Sequence, residues 1–231
     1  MCTLTVLPST RGIIVSMNRD EADSRAEAGE HLEVDALGAL KTWWPIDSVS
    51  HGTWFGVRGD GLVAALLNRY QGAGNPPQRS RGVIIPWLLQ EAPTQALEAF
   101  IHASAWQDFA PFDLVLVHGQ EILQCSWEKE RIEVRRNNGT QPFFLSSSSV
   151  EYETSLQIRR AAFERFVTEH EITPEQVISQ LHRQPHTQNP ALGFLMQRPG
   201  RSTKSISQAV VSSATIEHRY IPLDVQLPDD I

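Results

Sequence analysis

Two cysteines in 231 residues exclude a disulfide framework and leave a single Cys2–Cys125 bridge as the most that could form, with free thiols the expected state. The chain also lacks any apolar run near the roughly 20 residues of a membrane-spanning helix. No basic segment precedes an apolar one at the N-terminus, MCTLTVLPST, so the expected compartment is the cytoplasm. Positive charge is short as well. Twenty Lys+Arg against 27 Asp+Glu give a formal net charge of -7, which supplies no field to gather nucleic acid or anionic lipid. Cys-x-x-Cys-His, Walker and dinucleotide-binding glycine motifs are missing, so covalent haem, nucleotides and nicotinamide have no support, and no cofactor is expected. His182 and His186 are four apart, but Pro185 lies between them and no third ligand accompanies them, so they read as structural or surface residues and no metal site is expected.

What is present is enough apolar sequence, 41% of the chain, for one substantial core, and residues 1–231 read as a single domain. CTLTVLP and GIIVSMN, separated by Ser9-Thr10-Arg11-Gly12, predict an N-terminal hairpin. Residues 21–47 are charged, Gly/Ala-rich and without a clean period, and read as mostly loop. A second hairpin follows in TWFGVRGDGLVAALLNRY, turned by Asp60-Gly61 and closed by Asn68 and Arg69. After the loop QGAGNPPQRSRG, VIIPWLLQEAPTQALEAFIHASA predicts two short helices interrupted by Pro86 and Pro93. FDLVLVHG, EILQCSW, RIEVRR and QPFFLS predict a strand meander supplying a second sheet. Two further helices are expected, one capped by the Ser146–Ser149 cluster and one starting at Thr173-Pro174. SISQAVVSS and TIEHRYIPL read as closing strands, and the tail LPDDI as frayed. Strands at both ends of a helical middle favour an α+β sandwich over a doubly wound sheet.

Cys2 is the most informative residue. Removal of Met1 would leave a thiol and a free α-amino group on one residue, so nucleophile and base would be joined. An α-amino pKa of about 7.7 to 8.0 and a thiol pKa of about 8.5 need only modest tuning for attack on a carbonyl. Against this, a cysteine on a strand is more often a buried apolar side chain. Asn18, Arg19, Asp20 and Glu21 end the strand that pairs with the Cys2 strand, which returns them close to Cys2. Such a cluster can orient an amine, hold an oxyanion or bind a carboxylate, although charge runs usually face water.

MCTLTVL followed by VSMNRDE, and then HGTWFGVRGDGLVAALLNRY, resemble the two opening signatures of the NRDE family, the group that includes transport and Golgi organisation protein 2. FDLVLVHG resembles its central strand, QPFFLSSS the following turn and PGRSTKSISQAVV its late Arg-Ser-Thr segment, so the resemblance runs through most of the chain in order. It implies an N-terminal-nucleophile-hydrolase-like fold, a four-layer αββα sandwich similar to penicillin V acylase and bile-salt hydrolase. It also implies roles. Cys2 matches the nucleophile, Asn18, Arg19 and Asp20 the catalytic Arg/Asp region, Asn68 a substrate-contacting Asn and Arg201 a late arginine. Asp20 falls one residue short of the hydrolase spacing and Glu21 falls on it; residue type favours Asp20 as the acid, leaving Glu21 to the substrate. Arg69 and Trp54 complete the expected substrate-binding set, with Trp43 and Trp44 close by. Where the acylases carry an oxyanion Asn, this chain reads Leu145-Ser146-Ser147-Ser148.

Two readings follow. One is a cofactor-free hydrolase of linear or cyclic amides, its partner a small amide substrate. The other is a non-enzymatic binding or transport protein whose pocket holds a hydrophobic ligand such as haem.

Overall fold

The structure, a computed structural model, describes residues 2–70, 77–128 and 130–223, with the backbone alone at 27 and 28. The acidic tail LPDDI and part of the Gly/Pro-rich loop, residues 71–76, lie outside the described residues.

Strands β1 (Cys2–Ser9) and β2 (Gly12–Ala22) form the predicted N-terminal hairpin. Beyond β2, the sheet is extended by β12 (Arg201–Val211), which is flanked by β11 (Gln197–Arg198) and β13 (Ile216–Pro222). On the other side of β1 lies β10 (Phe143–Ser147). The second sheet runs in sequence order: β3 (Glu27–Val34), β4 (Leu40–Asp47), β5 (Phe55–Arg58), β6 (Val63–Asn68), β7 (Phe112–His118), β8 (Glu121–Glu128) and β9 (Arg131–Asn138). Neighbouring strands in both sheets are antiparallel.

The period-2 alternation of strand side chains sorts the apolar residues into three layers. Leu4, Val6, Val15 and Met17 face Val63, Ala65, Val115 and Val117 of the second sheet. The alternate positions Ala64, Leu66, Leu114 and Leu116 face α1 (Ile84–Glu91) and α2 (Leu97–Ala103), with Ile85, Leu88 and Ile101 closing that layer. On the far side, Leu7, Ile14 and Phe144 meet Phe163 and Phe166 of α3 (Tyr152–Glu169). The third layer is completed by α4 (Pro174–Gln176), which continues as a π-helix over Val177–His182. Thr173 caps α4 as expected, accepting from the Gln176 N–H. The result is the four-layer αββα sandwich.

Three expectations are corrected. Residues 27–34 and 40–47 are strands, not loop: β3 is an edge strand with glutamates along it and Leu32 and Val34 exposed, so it has the charged character of a protected edge and no buried stripe to announce it. The four-run meander divides, because β10 leaves the second sheet to pair with β1. The serine cluster does not cap α3; the residue before that helix, Glu151, is left-handed at φ 42, and Ser148 closes a local turn on Val150 instead.

Candidate functional site

Cys2 opens β1 with Arg19 of β2 on one side and Ser147 of β10 on the other as Cα partners. Its side chain points with Leu4 and Val6 into the space between the sheets, at the end where a cavity of about 200 Å³ opens. The Cys2 N–H donates to Ser147 Oγ at 3.1 Å. Burial pushes the thiol pKa up, and the Asp20 charge adds to this, while the Asp20 backbone N–H and Arg19 pull it down. The thiol is therefore held protonated at rest, and attack needs a base beside it.

The adjacent residues of β2 divide between two faces. Arg19 faces the cavity, its guanidinium 4.4 Å over the Trp54 ring and 2.5 Å from the Asp47 carboxylate. Asp47 also accepts from Arg25 at 2.8 Å and from the Ser50 N–H at 2.8 Å. Burial alone would raise the Asp47 pKa, but the Arg25 and Ser50 bonds and the Arg19 charge outweigh it and hold the carboxyl well below the usual range. Asp20 also lines the cavity, while its carboxylate reaches back to Thr203 Oγ1 at 2.7 Å and Arg159 at 3.5 Å. Arg159, fully buried on α3, donates to Thr3 Oγ1 at 2.7 Å and Ser146 Oγ at 3.1 Å, bracing β1 and β10 from behind.

Asn18 is turned the other way. Its amide donates to the carbonyls of His182 and Phe194, at 2.9 and 2.8 Å, and its Oδ1 lies 2.5 Å from His182 Nδ1. The pleat that directs Arg19 inward sends Asn18 into the helix layer, so its expected direct catalytic contact is replaced by a packing role. His182 is fully buried there, as a structural residue.

Of the expected substrate-binding set, Glu21, Trp54 and Asn68 line the cavity. Arg69 does not: it pairs with Asp113 at 2.9 Å and Glu128 at 2.7 Å, tying β6 to β7 and β8. Arg201 stands behind the lining, 3.4 Å from Glu21. Trp43 and Trp44 also leave the site, stacking on His218 and His31 respectively. Sequence reasoning missed Tyr70, whose side chain bonds Asn68 and whose pKa is raised by burial and by the nearby Cys2. It missed Asp47 and Arg159 too, which carry no local pattern, and Arg81, which lies in a stretch read only as loop. Tyr70 alone had a signal, as the neighbour of Asn68 and Arg69.

The Gly-Thr-Trp-x-Gly-Val segment now has a physical account. A Cβ on Gly52 would meet the Gly82 backbone at 2.4 Å, so two glycines let the β4–β5 link touch the 80–83 segment and wall the cavity. Thr53 Oγ1 donates to the Phe55 carbonyl at 2.8 Å, Trp54 supports Arg19, and Gly56 lies under Leu89 of α1.

Two stacked antiparallel sheets with helices outside both, and a cysteine at the start of a central strand facing the cavity between them, make up an N-terminal-nucleophile-hydrolase-like fold. The chain belongs to the Transport and Golgi organisation 2 family, whose model matches residues 1–220. Its fold is similar to that of a Caenorhabditis elegans ortholog of N-acylethanolamine-hydrolyzing acid amidase (TM-score 0.61, 16% identity, 90% of this chain and 92% of that one). It is also similar to penicillin V acylase from Agrobacterium tumefaciens (0.51, 10%, 96% and 86%). A third similar structure is a cysteine-to-alanine mutant of conjugated bile acid hydrolase from Clostridium perfringens (0.55, 8%, 97% and 93%). No curated protein matches the sequence. Among the described residues, no cluster of His, Cys, Asp and Glu could hold a metal ion, and no helix is long and apolar enough to cross a membrane.

Proposed function

We propose that the chain is a cysteine amidohydrolase acting on small non-peptide C–N amide bonds. The observation that carries this reading is Cys2 itself: a thiol facing the cavity, with its own nitrogen hydrogen-bonded to Ser147 at 3.1 Å. With Met1 removed, that nitrogen is an amine. One of its hydrogens goes to Ser147 Oγ, and its lone pair is free to take the thiol proton. Sγ then attacks the amide carbon, and the C=O electron pair moves onto oxygen. Asn68, held by Tyr70, is the side-chain amide on the cavity wall that can donate to this oxyanion. As the tetrahedral intermediate collapses, the C–N bond breaks, the α-ammonium protonates the leaving amine, and a thioester remains. The freed α-amine takes a proton from water, hydroxide adds to the thioester, and the C–S bond breaks to give the acid and a thiolate, which takes the proton back from the α-ammonium to restore thiol and amine. The roles of Arg19 and Asp20 are positional: Arg19 is fixed by Asp47 and Trp54, and Asp20 presents its backbone N–H to the thiol. Of the three proteins of similar fold, one is by its name an amidase and the others are an acylase and a hydrolase, which supports the reaction class.

A second reading, a pocket that holds a ligand without cleaving it, is favoured by Leu145-Ser146-Ser147-Ser148 standing in place of the acylase Asn. At about 200 Å³, below the ~300–1,000 Å³ of sites for drug-sized ligands, the cavity suits a ligand smaller than haem.

The test is intact mass before and after a thiol-reactive electrophile, on wild type and Cys2→Ala. Loss of Met1 with fast, Cys2-dependent labelling is expected. A retained Met1, which abolishes the free amine, would overturn the hydrolase and leave ligand binding.

A further inference from the structure

The charges around the cavity do not cancel. Each carboxylate on its wall is already engaged: Asp20 with Thr203 and Arg159, Glu21 with Arg25 and Arg201, Asp47 with Arg19 and Arg25. Two further arginines, Arg79 and Arg81, line the same cavity from the 77–82 segment. No carboxylate among the described residues lies within ion-pairing distance of either. Arg79 lies over the Phe109 ring at 5.2 Å, and Arg81 gives one N–H to the Pro111 carbonyl at 2.6 Å, which leaves most of each guanidinium's donors unused. Arg81 is half-buried and within electrostatic reach of Tyr70, Cys2 and Glu21, the last already shared by Arg25 and Arg201; burial lowers its pKa, and no counter-charge is bonded to it. The indole N–H of Trp54, another wall residue, is buried with no acceptor. Donors therefore exceed acceptors on the wall facing the nucleophile.

We infer that the substrate is a small amide bearing a carboxylate within a few bonds of the scissile carbonyl, an N-acyl amino acid or a carboxylated lactam, with the carboxylate bound by Arg81 and Arg79. This rests on the amidohydrolase reading of the site. The guanidinium fork matches a carboxylate in geometry, and desolvation by the cavity wall strengthens the pair. A neutral amide of the same shape would leave the partly buried Arg81 without a partner, which is the stronger source of discrimination, while the exposed Arg79 keeps its water.

The test uses two alkylating probes of nearly equal size, iodoacetate and iodoacetamide, with Cys2 modification followed by peptide mass. Both meet the same thiolate, so the ratio of their rates cancels any change in its ionisation and reports the charge preference of the cavity. Relative to the ratio on glutathione, wild type should favour iodoacetate about ten-fold, and Arg81→Gln and Arg79→Gln should each move the ratio toward that of glutathione. A wild-type ratio equal to that of glutathione would overturn the anionic substrate while leaving Cys2 a live nucleophile. Thermal shift of the Cys2→Ala protein with N-acetylglycine and with N-acetylglycinamide reads the same preference without the thiol. A rise in Tm with the acid alone, lost in the Arg81→Gln background, would uphold the carboxylate site even where Cys2 proves inert and the hydrolase reading fails; equal responses to the two would overturn it.

Discussion

Arg19 of β2 and Asp47 at the end of β4 form a buried ion pair, 2.5 Å apart, that joins the two sheets beside Cys2. Asp47 is the shared counter-ion of Arg19 and Arg25 and closes its own turn through the Ser50 N–H. One carboxylate thus fixes the guanidinium next to Cys2 and the loop that walls the cavity.

Replacing Asp47 by Asn should accordingly be costly, because it leaves two arginines without their shared anion, one of them buried. A loss of about 3 kcal/mol is expected from breaking a buried pair. The carboxyl is held below its ordinary range in the folded protein, so its contribution is complete above the unfolded pKa of about 3.9 and declines as pH falls below that toward the folded value. Urea unfolding of both proteins at pH 7 and pH 3 checks this: the gap should be wide at pH 7 and narrower at pH 3. A constant gap would show that the carboxylate charge is not the source.

Ser147 is expected to matter through the nitrogen of Cys2 rather than through the fold. Ser147→Ala removes the acceptor 3.1 Å from that nitrogen and should slow Cys2 alkylation by iodoacetamide about ten-fold, in line with one hydrogen bond. Its pH–rate profile should shift, and Ser147→Thr, which keeps a hydroxyl, should restore much of the rate. An Ala variant with wild-type rate and profile would remove Ser147 from the mechanism.

His182 should set part of the acid sensitivity of the protein. Asn18 Nδ2 already donates to two carbonyls, so its Oδ1 accepts from Nδ1–H of His182, and Nε2 accepts from the Thr5 hydroxyl at 2.8 Å. The ring is neutral, its pKa pushed down by burial to about 3. The unfolded chain takes up a proton below about pH 6.5 and the folded protein does not until about pH 3, so stability falls through that window. At pH 5 the loss is about 2 kcal/mol. Between pH 7.5 and pH 5, His182→Gln should lose about 2 kcal/mol less than wild type in urea unfolding; equal losses would place the acid sensitivity elsewhere.

How much of this was legible follows from the range of each interaction. The two hairpins and the helices at 84–103 were readable because turn chemistry and periodicity act over a few residues, and the β1–β2 hairpin alone brings Arg19 opposite Cys2. The strand at 27–34 was hidden because an edge strand with charges on it has no buried stripe to display. Asn18 and Arg19 are neighbours in sequence, and only the pleat and the register decide that one faces the helices and the other the cavity. Ser147, Asp47, Arg159 and Arg81 reach the site from strands, a helix and a loop far apart in the chain. By itself the sequence determined the hairpin that carries Cys2 and the resemblance that implied the four layers. Tertiary structure alone decided which polar side chains share the cavity and which carry unbalanced charge. Strand pairing and burial across the sandwich set those contacts, and no local pattern records them.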